Sequence, residues 1–260
     1  MRSVKFLLLI WMCFSVTVAG ADILPFPGVR RPRPPLERNY EQHGNSGVEN
    51  PAGPRLVGVS MAAAKVAVRI KKTRGGAEGA TEATPFVADV TADFDMLGGS
   101  ALKSGKGIDV LFPVDVDKGG APAGGSFAVT VDGKPGADLK KRSWTVTGDH
   151  GKPLGLWGYA WRLPPVKPGQ KLRVAVRYSV FLPQIAGKAQ FIYFLRSGAL
   201  WDGPIGRETV NVTTQKGLRV KVLSPVALKP VSSTDSLTWE IINVKPAEDI
   251  RLEIFPRDKP

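Results

Sequence analysis

Lys65-Val-Ala-Val-Arg-Ile-Lys71 places Val66, Val68 and Ile70 at one parity and Lys65, Arg69 and Lys71 at the other. Side chains two apart project to the same face of a strand, so this alternation predicts a strand with one buried and one wet face. The same reading extends outward. Phe86 to Phe94 and Ile108 to Val116 are predicted strands. Ser126 to Val131 is another, closed by Asp132-Gly133, a dipeptide that favours the left-handed conformations of a tight hairpin. Further strands are predicted at Leu156 to Leu163, Lys171 to Phe181, Gln190 to Leu195, Glu208 to Thr213, Leu218 to Leu223, Leu237 to Ile242 and Ile250 to Phe255. Pro164-Pro165, Pro168-Gly169 and Pro183 to Gly187 supply the breaks between them. No window of useful length has a helical period, so the expected class is all-β with little or no helix. A β-sandwich, or two packed β units, is the arrangement that buries so many apolar faces.

Composition agrees. The chain has 260 residues with 29 Gly and 22 Pro, punctuation suited to short strands and turns. Met1 to Ala21 has the form of a cleavable secretory signal. Arg2 and Lys5 open it, Phe6 to Val18 form its apolar run, and Ala19-Gly20-Ala21 supplies the small residues of a cleavage site. The chain is therefore expected to be exported, to the periplasm or beyond. Its single cysteine, Cys13, lies in that signal. Removal of the signal would leave no disulfide, no thiolate metal ligand and no cysteine nucleophile. Residues 22–55, with Pro25-Phe26-Pro27 and Pro32-Arg33-Pro34-Pro35, read as a proline-rich arm. Residues 56–260 form the β domain, and the Gly-rich run 118–125 marks either a subdivision or a long hairpin loop. No second apolar stretch reaches the roughly 18 residues of a membrane span.

Three stretches carry a more specific resemblance: Trp157-Gly-Tyr-Ala-Trp161, Phe191 to Gly206 with its Ser197-Gly-Ala-Leu-Trp-Asp-Gly-Pro-Ile-Gly206 segment, and Trp239 to Ile250. Together they resemble an exported bacterial β-protein family known only as a domain of unknown function. The resemblance implies an exported, mainly β protein. It brings no catalytic residue, cofactor or substrate.

Candidate binding residues follow from chemistry. Trp157, Tyr159 and Trp161 share one face of a strand, with Gly158 and Ala160 on the other. Exposed, such a stripe stacks on sugar rings; buried, it is sandwich core, the commoner fate of so much aromatic area. Trp201 and Asp202 open a turn, where Trp201 either anchors a ligand or covers the end of the core, and Asp202 bonds to turn backbone. Asp93/Asp95 and Asp115/Asp117 are same-face carboxylate pairs, but neither has the further ligands of a calcium loop. They read first as solvated strand-edge or turn charges. His43 and His150 are the only histidines, and neither sits in a metal or triad pattern, so no metal and no cofactor is expected. Asn211-Val-Thr213 matches a glycosylation acceptor in systems that use one.

The net charge is +13, and the densest basic clusters are Arg69, Lys71, Lys72 and Arg74, and Lys140, Lys141 and Arg142. In an exported chain this field favours an anionic envelope polymer or lipid surface over nucleic acid. The expected function is thus a non-catalytic envelope or extracellular module. Two alternatives remain open: an exported polysaccharide-active enzyme drawing its acids from Asp93, Asp95, Asp115, Asp117 or Asp202, and a structural component of a secreted assembly.

Overall fold

The computed structural model describes residues 19–21, 24–26, 58–72, 86–99, 107–116, 126–147, 153–182, 184–185, 188–195, 197, 201–225, 228–233 and 235–256. The first 18 residues of the expected signal, nearly all of the proline-rich arm, the 118–125 run, Arg74, Asp117, His43 and His150 lie outside the described residues, as do the side chains of Asp115 and Trp157.

Among the described residues the structure is almost wholly strand. In chain order these are β1 (Ala19–Ala21), β2 (Leu24–Phe26), β3 (Val59–Lys72), β4 (Phe86–Gly98), β5 (Ile108–Val116), β6 (Phe127–Val131), β7 (Lys134–Pro135), β8 (Ala137–Thr147), β9 (Pro153–Leu163), β10 (Lys171–Leu182), β11 (Gln184–Ile185), β12 (Lys188–Phe194), β13 (Ile205–Thr214), β14 (Leu218–Ser224), β15 (Val231–Ser232), β16 (Ser236–Val244) and β17 (Ile250–Pro256). The predicted strands all appear, most of them longer by a few residues. The sequence reading missed β8 and the short β1, β2, β7, β11 and β15.

The strands form an eight-stranded sheet, β15-β16-β13-β3-β4-β10-β6-β7, and two smaller sheets, β1-β12-β17-β14 with β11 beside β12, and β2-β5-β9-β8. The inner face of the large sheet carries Val66, Val68, Val90, Phe94, Val174, Val176 and Val210, all buried. Side chains of both smaller sheets join them in one continuous core. Phe112 of β5 meets Tyr178 of β10 edge-on at 5.4 Å, and the Tyr193 hydroxyl of β12 donates to Glu208 of β13 at 2.8 Å. The architecture is therefore a sandwich with one layer continuous and the other divided between two sheets.

Local chemistry sets the register. A bulge between Met61 and Ala63 switches the parity of β3, so that Met61 and Ala64 both point inward. On the outer face, the carboxylates of β4 lie between the cations of β3 and β10. Lys71 reaches Asp89 at 2.6 Å and Arg173 reaches Asp93 at 3.1 Å. The predicted Asp132-Gly133 turn joins β6 to β7 with φ of 48° and 76°. Asp132 also ties that hairpin to β10: its amide donates to the Arg173 carbonyl, and its carboxylate accepts from the Arg173 amide.

Candidate functional site

The two basic clusters have different surroundings. Arg69 and Lys71 stand on β3 opposite β4, where Arg69 pairs in register with Asp89 and Lys71 forms an ion pair with it. Burial alone would raise the Asp89 pKa, but the bonds from Lys71 and the Ser179 hydroxyl outweigh it and hold the carboxyl below its ordinary value. The Lys72 amide donates to the Gln215 side chain at 2.9 Å. Asp89 thus offsets charge at Lys71 and Arg69, and the Lys72 bond is one of its backbone.

Lys140, Lys141 and Arg142 differ. They lie on β8, an edge strand, opposite Ala160, Tyr159 and Gly158 of β9. Lys140 and Arg142 therefore share one face and Lys141 takes the other, yet all three are exposed. None forms an ion pair among the described residues. The result is a cationic rim that presents charge on both faces of one edge.

Two rings of the aromatic stripe, Tyr159 and Trp161, turn inward. Trp161 is 2 % exposed and packs against Phe112 and Phe127 at ring distances of 6.3 and 6.2 Å. Tyr159 is half-buried and stacks on Phe127 at 3.9 Å, with burial raising its phenol pKa. As described, these two rings clamp the smaller sheet to the larger one and do not form an open platform.

Trp201 is also 2 % exposed, so the indole covers the core. Asp202 keeps the turn in place, through a partner far away in sequence. Its carboxylate accepts from the Gly58 amide at 3.0 Å, and its own amide donates to the Val59 carbonyl at 2.9 Å. These bonds fix the start of β3 against the turn before β13. We predict that Asp202→Ala costs about 1 kcal/mol of folding stability by leaving the Gly58 amide without its acceptor, measured by urea denaturation.

Asp93 and Asp95 sit on the outer face of the large sheet, with Asp93 bound to Arg173. Tyr159 and Trp161 pack against Phe127 and the core on the other side of that sheet, so these carboxylates and rings do not meet. Among the described residues no three His, Cys, Asp or Glu side chains are grouped to hold a metal ion. No helix there is long and apolar enough to cross a membrane.

Sequence reasoning passed over Glu208, which is 0 % exposed on the inner face of β13. It pairs in register with Ala64 of β3 and Ile241 of β16. One carboxyl oxygen accepts from Tyr193; the other has no hydrogen-bond partner in the structure. Desolvation pushes its pKa to about 7, against the lowering effect of the Tyr193 bond. The signal was present: Glu208 has the parity of Val210 and Val212, both buried.

No family model matches the chain, and no curated protein matches it. Solved structures do. A Legionella pneumophila protein provisionally described as nutrient-binding aligns with a TM-score of 0.57 at 16 % identity, over 92 % of this chain and 71 % of that one. A zinc metallopeptidase of the M1 type from Deinococcus radiodurans aligns with a TM-score of 0.38 at 10 % identity, over 77 % of this chain and 43 % of the enzyme. At 16 % identity the first likeness is one of fold, an all-β sandwich.

Proposed function

We propose that the chain is an exported, non-catalytic binding module that attaches to an anionic polymer or lipid surface of the cell envelope through the cationic edge of β8. The observation that carries this reading is the exposure of Lys140, Lys141 and Arg142 without internal counter-charges among the described residues. The net charge of +13, to which Arg2 and Lys5 of the expected signal contribute two, stays strongly positive after processing and supports the same polarity of partner. The secretory form of Met1 to Ala21 supports an envelope location, and the resemblance to an exported family agrees with it. The fold neighbour described as nutrient-binding supports a binding use of this sandwich, at the level of fold only.

A cationic edge also keeps strands of other molecules from pairing with β8. Binding and edge protection make different predictions, so one series of variants separates them. The processed protein should bind isolated envelope at low salt and release as salt rises. Near an anionic lipid surface each cation contributes about 1 kcal/mol. Replacing all three by glutamine, K140Q/K141Q/R142Q, should therefore weaken binding on the order of a hundredfold and flatten its salt dependence. Vesicles with anionic headgroups and a purified acidic polysaccharide, run in parallel, identify which surface is recognised. Salt-resistant binding would overturn the proposal in favour of a shaped protein or sugar site, and unchanged binding by the triple variant with new self-association would overturn it in favour of edge protection.

A further inference from the structure

A cleft of about 220 Å³ opens where β13 and β16 of the large sheet meet β14 and the end of β17. Nothing in the sequence marks it, because its walls come from four strands. Its lining is mixed: the half-buried Val220, Leu237 and Phe255, with the edges of the buried Val212 and Leu218, are apolar, and Thr214, Ser233 and Ser236 are polar. Arg219 and Asp235 stand at the same cleft, both exposed. They carry opposite charges, and neither forms an ion pair among the described residues.

The frame around these two charges is held in place. The Thr214 amide donates to the Asp235 carbonyl at 3.0 Å, which ties the loop before β16 to the end of β13. The hydroxyls of Ser233 and Ser236 bond to each other at 2.7 Å and the Ser233 amide donates to the Ser236 carbonyl, closing the turn that carries Asp235. Arg219 is set on β14 opposite Phe255 of β17. Backbone pairing thus fixes both charged residues at their roots, while their side chains are free to close on a ligand.

The cleft is smaller than the roughly 300 to 1,000 Å³ of pockets that hold drug-sized ligands, so only a small molecule fits it. An apolar strip at Leu237 and Phe255, the polar Thr214, Ser233 and Ser236, and one cation and one anion complement a small molecule that has a short apolar body and both charges. We propose that the cleft binds a small zwitterion with an apolar side chain, of the class of aliphatic and aromatic α-amino acids. The ligand carboxylate would pair with Arg219, its ammonium with Asp235, and its side chain would rest on Leu237 and Phe255. This site is in a different sheet from β8 and stands or falls apart from the polymer-binding reading.

The test uses the full processed chain, with L-leucine and L-phenylalanine as probes, followed by backbone amide shifts in NMR titrations. N-acetyl-L-leucine keeps only the carboxylate, and L-leucinamide keeps only the ammonium. The wild-type protein should bind both amino acids with a dissociation constant of about 1 mM or tighter. Arg219→Gln should weaken L-leucine about tenfold or more, yet leave L-leucinamide unchanged. Asp235→Asn should weaken L-leucine similarly and leave N-acetyl-L-leucine unchanged. Both residues are exposed, so neither variant threatens the core. Absence of amide shifts around β14 and the 233–236 turn at about 10 mM ligand, far above that dissociation constant, would overturn the proposal. Binding that neither substitution alters would overturn it as well.

Discussion

Raising the pH from about 4 to about 8 should remove on the order of 3 kcal/mol of folding stability through Glu208 alone. Burial lifts its pKa from 4.5 to about 7 in the folded chain, whereas the unfolded chain keeps the ordinary value. A carboxyl with a raised folded pKa binds its proton more tightly when folded. Its contribution is fully present below 4.5, falls as pH rises toward 7, and levels off above that. The cause is geometric: an ionised carboxylate at that position has one donor, Tyr193, and one oxygen with no partner. Glu208→Gln keeps an oxygen for Tyr193 and cannot ionise. Its amide nitrogen takes the place of the protonated carboxyl's hydroxyl, which is equally without a partner, so near pH 5 the variant should lie within about 1 kcal/mol of wild type. Above pH 7 the wild type should fall below the variant, because only the wild type has lost stability. Urea denaturation at unit pH steps, taken as the difference between the two proteins, isolates this group from every other carboxylate. Parallel curves would show that Glu208 does not titrate in that range.

Much of the strand pattern can be read in the sequence because one buried face imposes a period of two. Val66, Val68 and Ile70, or Leu172, Val174 and Val176, announce their strands without help from the rest of the chain. β8 escaped notice for the converse reason. At Lys140, Lys141 and Arg142 both faces are exposed, so an edge strand has no alternation to show. Parity also grouped Tyr159 with Trp161, but it cannot say whether the shared face looks toward solvent or toward a second sheet. That answer depends on Phe112 and Phe127, which arrive from other strands. Asp202 illustrates the same limit at longer range, since its partner Gly58 is 144 positions away. Its turn-forming composition was legible and its partner was not. Glu208 was readable in principle: a charged residue in step with buried valines is either paired or protonated, and either case marks a site worth locating. The cleft near Arg219 had no local signature at all.

Replacing Trp161 with alanine should cost about 3 to 5 kcal/mol of folding stability, the usual loss when a large buried aromatic is truncated. Trp161 is 2 % exposed and lies in a ring cluster with Phe112 and Phe127. Through Phe127 that cluster continues to Tyr159, stacked at 3.9 Å with an interplanar angle of 9°. Through Phe112 it reaches Tyr178 of the large sheet at 5.4 Å. The indole is thus one wall of the contact between two sheets, and alanine would leave a cavity bordered by rings whose strands fix their positions. The backbone is close there too: a Cβ on Gly136 would come within 2.6 Å of a Val129 methyl and 3.6 Å of the indole. Trp161→Phe is the informative companion. The indole N–H has no hydrogen-bond partner in the structure, so phenylalanine removes a buried donor while it gives up part of the packed area. These effects oppose each other, and the phenylalanine variant should lose about 1.5 kcal/mol or less. A ligand platform behaves in the opposite way: alanine would leave stability nearly untouched and abolish binding. Denaturant unfolding of both variants decides between the two, and an alanine variant within about 0.5 kcal/mol of wild type, as at ordinary surface positions, would return the stripe to the surface.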